Sequence, residues 1–73
     1  MPNNIHSDKY KAFLLRLRQA RKEMELTQAQ VAMRLGKPQS YVAKCESGER
    51  RVDVVDISEF AKLYGKPLNY FLR

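Results

Sequence analysis

Cysteine and histidine are almost missing from this chain. Cys45 is the one cysteine and His6 the one histidine among 73 residues. No disulfide can close within these residues, and no cysteine-rich zinc site can form. One thiol suits a reducing compartment. His6 stands alone and suggests no metal. Serine, cysteine and histidine are too few and too scattered for a nucleophilic catalytic set. No glycine-rich loop offers to cradle phosphate. An enzyme is therefore not expected, nor a catalytic residue, cofactor, metal or small-molecule ligand. No apolar run approaches the ~20 residues of a membrane helix. The opening MPNNIHSDKY is too polar for a signal peptide. A cytoplasmic protein is the expectation.

What is present is enough for one small domain. Hydrophobic residues make up 44% of the chain, which suits a folded globule rather than a disordered tail. A core of this size is marginal, so self-association bears on stability. The net charge is +6, and its distribution is informative. Residues 1–51 hold 11 basic and 5 acidic residues, whereas 52–73 hold 3 of each. The excess lies in the first two-thirds, where a polyanion such as nucleic acid or an anionic surface would be drawn.

The pattern predicts five helices and no strands, although RVDVV at 51–55 comes close to alternation. A loose arm over 1–6 precedes the domain at 7–73. Ser7 suits an N-cap. Tyr10, Phe13, Leu14, Leu17, Ala20 and Met24 follow as one apolar stripe, with Arg21 inside it. Thr27 opens a second helix, and Gln30 completes a capping box. Val31, Ala32 and Leu35 point inward, and Gly36 is the left-handed stop. Pro38 suits the first turn of a third helix over about 38–47. There Val42 and Cys45 face the core. Ser40, Ala43, Lys44 and Ser47 face out, Gln39 lies near the N-terminal edge, and Gly48 ends the helix. Asp53 caps a fourth helix carrying Ile57, Phe60, Ala61 and Tyr64, which Gly65 stops. Pro67 starts a short fifth helix. LGKP (35–38) and YGKP (64–67) use one turn chemistry twice. Tyr70 and Phe71 belong either to the core or to a contact between copies.

Two short helices joined at Gly36-Lys37 suggest a helix-turn-helix. The outer face of the third helix is then shaped for a DNA major groove. Glutamine can pair with adenine, lysine can donate to guanine, and alanine leaves room for a thymine methyl. LRLRQARKEMELTQAQVAMRLGKPQSYVAKCESGERR, followed by FAKLYGKPLNYFL, resembles the Cro-type (XRE) helix-turn-helix domain of phage and bacterial regulators. The matching parts are Arg21, LTQ at 26–28, Ala32 with Leu35-Gly36, Gln39-Ser40, Glu46 with Gly48, and Ala61-Lys62 before Gly65. The resemblance implies an all-α, compact five-helix, lambda-repressor-like fold. It also implies a nucleoid-associated bacterial or phage protein that binds double-stranded DNA, as a homodimer on a palindromic operator.

Carried over by position, Thr27 and Gln28 open the second helix, where the family meets a phosphate. Lys37 lies in the turn. Gln39 and Ser40 take the first base-contacting positions, with Ala43 and Lys44 one turn on. Tyr41, Arg50 and Arg51 take backbone-contacting positions. Arg21 and Glu46 take those of a structural salt bridge. Glu25 stands where the family has glycine, Lys37 where a buried aliphatic is frequent, and Glu49 where lysine is frequent. The glutamate at 25 suggests a less left-handed turn there. Within this reading a repressor, a restriction-modification controller and an antitoxin all fit. The alternative is a protein-interaction module of the same fold, an antitoxin or a co-activator-like bridging factor.

Overall fold

The computed structural model describes residues 7–72. The arm expected at 1–6, with His6, lies outside the described residues, as does Arg73. The elements are α1 (Asp8–Glu23), α2 (Gln28–Leu35), α3 (Gln39–Ser47), α4 (Val54–Tyr64) and α5 (Leu68–Leu72). No strand occurs among the described residues. RVDVV divides between the loop after α3 and the start of α4, because Asp53 caps a helix there.

Local chemistry marks each boundary. The Ser7 hydroxyl accepts from the Tyr10 N–H and starts α1. Thr27 and Gln30 form a reciprocal capping box at α2, and Asp53 and Asp56 form another at α4. Each box satisfies two N–H groups that a helix start leaves without a partner. Helices α2 and α4 end alike. Gly36 (φ 70°) and Gly65 (φ 67°) take the left-handed conformation. The Lys37 N–H then donates to the Ala32 carbonyl at 2.9 Å, and the Lys66 N–H to the Ala61 carbonyl at 3.0 Å. These are Schellman closures.

Helix α1 ends by the same closure without a glycine. The Leu26 N–H donates to the Arg21 carbonyl at 3.2 Å, and Glu25 takes φ 56°. The turn is thus as left-handed as those at Gly36 and Gly65, contrary to the expectation from its glutamate. The closure also removes Met24 from the apolar stripe. Met24 is the C-cap and is exposed, and Leu26 fills the core in its place. Pro38 differs from expectation by one position. It is the extended N-cap of α3 (ψ 155°) rather than a first-turn residue. After a left-handed glycine the chain must be redirected before a new helix begins.

The core joins all five helices. Leu17 and Ala20 of α1, Val31 of α2, Val42 and Cys45 of α3, and Phe60 of α4 are fully enclosed. Phe71 of α5 is core, whereas Tyr70 is half-buried and Leu72 is exposed. Phe71 packs edge-on to Phe13. The most extensive contact between elements is that of α2 with α3. The Tyr10 hydroxyl accepts from the Val52 N–H at 3.0 Å and ties α1 to the loop before α4.

Candidate nucleic-acid interface

Helix α3 is anchored on one side and open on the other. Val42, Cys45 and Glu46 are buried. Gln39, Ser40, Lys44 and Ser47 are exposed, and Ala43 is half-buried between them. Spacings of three and four place Ser40, Ala43, Lys44 and Ser47 along one face. With Gln39 at its N-terminal edge, this face offers a carboxamide, the Ser40 hydroxyl, a methyl and an ammonium, a set able to meet base edges. The Ser47 hydroxyl donates to the Lys44 carbonyl and accepts from the Glu49 N–H.

The anchor is ionic. Glu46 is only 1% exposed. Its Oε2 accepts from Arg21 Nε at 2.7 Å, and its Oε1 accepts from Arg21 Nη2 at 3.1 Å. The pair is bidentate, the strongest arrangement two such groups can make. Gln28 Nε2 also donates to Glu46 Oε1, at 3.0 Å. Arg21 Nη1 donates to the Leu26 carbonyl at 2.9 Å. One buried carboxylate therefore ties α1, the start of α2 and α3 together. Hydrogen bonding to Glu46 holds the Arg21 guanidinium above its ordinary pKa, against the opposing effect of burial. Arg18 donates from Nη1 to the Glu46 carbonyl at 3.1 Å and adds a second tie from α1 to α3. Its place one turn before Arg21 was the signal available for that role.

The other candidate residues fall into three groups. Thr27 is exposed at the start of α2, with its hydroxyl accepting from Gln30. Gln28 spends one amide hydrogen on Glu46 and retains a second, since an amide nitrogen carries two. Tyr41 is half-buried, and its ring runs parallel to that of Phe60 within 8°, at 6.3 Å between centroids. Lys37 and Arg50 both lie against the Tyr41 ring, at 5.3 Å and 4.8 Å from its centroid. Arg50 also pairs with Asp56 at 3.5 Å. Asp56, a member of the α4 capping box, thus has a second role. Arg51 stands apart and lines a groove of about 750 Å³ between α1, α4 and α5. Burial pushes the Cys45 thiol above its ordinary pKa, which leaves it a core side chain.

Among the described residues no group of three or more His, Cys, Asp or Glu could hold a metal ion, and no helix is long and apolar enough to cross a membrane. No curated protein is similar enough to this chain to count as a relative. The sequence profile of the helix-turn-helix family matches residues 17–71, from the middle of α1 to the last turn of α5. The match spans α2, α3 and the Arg21–Glu46 anchor. This chain belongs to the helix-turn-helix family, in its Cro (XRE) type, a family of DNA-binding regulators.

Proposed function

We propose that the chain is a sequence-specific transcriptional repressor that places α3 in the major groove of operator DNA. The observation that carries this reading is the contrast between the two sides of α3: Glu46 sealed into an ionic anchor, Gln39, Ser40 and Lys44 left open. A rigid helix presenting short polar side chains suits base-edge readout. Gln39 and Ser40 read the first bases, and Ala43 and Lys44 read those one turn further along. Thr27, the second amide hydrogen of Gln28, Lys37, Tyr41 and Arg50 meet phosphates on either side. Such contacts fix orientation without carrying sequence information.

One helix reads only a few base pairs, too little to choose a site among many competitors. Two copies on a palindromic site, with recognition helices about 34 Å apart, meet that need. The exposed Val54, Val55, Leu68 and Leu72 on α4 and α5 supply apolar area for contact between copies. The 52–73 region holding them is neutral and does not repel a twin. A gel-shift titration on the DNA upstream of the chain's own reading frame tests the proposal. Saturable binding that survives excess random duplex is expected. Competition by random duplex at equal efficiency would contradict sequence-specific binding, and no binding at all would favour the protein-bridging role.

A further inference from the structure

Arg50 leaves the recognition helix under tight control. Its backbone N–H donates to the Lys44 carbonyl at 3.0 Å, so its backbone is fixed to the end of α3. Its guanidinium lies 4.8 Å from the Tyr41 ring centroid, and Lys37 approaches the same ring from the turn before α3. Tyr41 is steadied in turn by the enclosed Phe60. One core-anchored ring thus gathers a cation from each end of the recognition helix.

Asp56 intrudes on this set. Its Oδ2 lies 3.5 Å from Arg50 Nη2, and the two side chains are 13% and 47% exposed. The same oxygen accepts from the Asp53 N–H at 3.2 Å, which holds the carboxylate in place. The anion is therefore fixed and largely covered, while the cation reaches into solvent. At 3.5 Å the pair is too long for a well-made hydrogen bond, so it orients Arg50 weakly. Its electrostatic effect is larger, because a neighbouring negative charge lowers the potential an approaching phosphate meets.

We propose that Asp56 competes with DNA phosphate for Arg50 and holds the chain's grip on the DNA backbone below what its cations alone would give. The inference rests on the reading that α3 and its flanks contact DNA. Phosphate contacts contribute to every sequence alike. A built-in competitor at one of them weakens binding to specific and random sequences together, while leaving the base-reading residues of α3 untouched. Asp56 is thus a residue that sets the overall strength of DNA binding without touching a base.

Asp56→Asn tests this, because asparagine keeps an oxygen able to accept from the Asp53 N–H and loses the charge. Binding to a random-sequence duplex is measured at several salt concentrations, with thermal melts establishing that each variant is folded. The substitution should tighten binding roughly two- to five-fold at low salt, and the gain should shrink as salt rises. With Arg50→Ala already present, most of the gain should vanish. Asp56→Ser, a second capping-compatible change, should reproduce the pattern. Unchanged or weaker binding by the folded variants overturns the proposal, as does an equal gain in the absence of Arg50. If the wild-type chain binds no duplex in the same titration, the DNA reading itself fails, and that failure is distinct from the other two.

Discussion

Arg21 Nε lies 2.7 Å from Glu46 Oε2, in a pair whose side chains are 13% and 2% exposed and which joins α1 to the recognition helix across 25 positions. Removing one partner strands the other charge in a covered site. Arg21→Met or Glu46→Ala should each cost about 3 kcal/mol of stability. Gln28→Ala should cost about 1 kcal/mol, since it removes one of three bonds to the carboxylate. Denaturant midpoints check these values. Equal, negligible losses for all three variants would contradict the anchor.

Glu25 holds φ 56° with an exposed side chain, so it bears left-handed strain without visible packing in return. The left-handed conformation costs a non-glycine residue about 1–2 kcal/mol. Glu25→Gly should therefore raise stability, by about 0.5–1 kcal/mol once the greater freedom of the unfolded glycine is counted. A lower melting temperature for Glu25→Gly would show that the carboxylate contributes more than the turn loses.

Gly48 differs from the other two glycines. At φ 86°, a Cβ there would also come within 2.9 Å of Leu14 Cδ1, whereas nothing lies within 4 Å of one built at Gly36 or Gly65. Gly48→Ala should thus be the most damaging of the three alanine substitutions, by about 1 kcal/mol or more beyond the shared strain. Equal costs at positions 36, 48 and 65 would mean that Leu14 moves aside freely.

Much of this architecture was legible in the chain, because it is encoded by local chemistry. Thr27 with Gln30, Asp53 with Asp56, and the glycines at 36, 48 and 65 mark ends that short-range hydrogen bonding decides. What escaped reading depends on geometry across the fold. Met24 continues the stripe in sequence, yet the closure at Glu25 turns it outward and brings Leu26 in. Arg18 looks like any solvated flank until α3 places the Glu46 carbonyl beside it. Arg50 and Arg51 are adjacent and alike in sequence. The first lies on Tyr41 and Asp56, while the second lines the groove beside α1. Nothing local distinguishes them.

Tyr64 is 2% exposed, and its hydroxyl has no hydrogen-bond partner among the described residues. Burial, followed by the nearby Glu46 charge, holds its phenol above the ordinary 10.0. Above about pH 10 the unfolded chain ionises this group while the folded chain does not, so stability falls as pH rises. Burial raises the phenol of Tyr41 likewise, which adds to the alkaline loss. Tyr64→Phe should be neutral or stabilising by up to about 1 kcal/mol at pH 7. It should also blunt the loss above pH 10. Melting curves from pH 7 to 11 check both parts, and an undiminished alkaline loss would contradict the second.

The central claim is that the open face of α3 reads base sequence. Selection from random duplexes, run in parallel on the wild-type chain and on Gln39→Ala, tests it most directly. The wild type should enrich a two-fold-related motif. Gln39→Ala should enrich the same motif with preference relaxed at one base pair of each half, by about 1–3 kcal/mol, and with little change in non-specific affinity. No enriched motif from the wild type, or an unaltered motif from Gln39→Ala, would contradict the account.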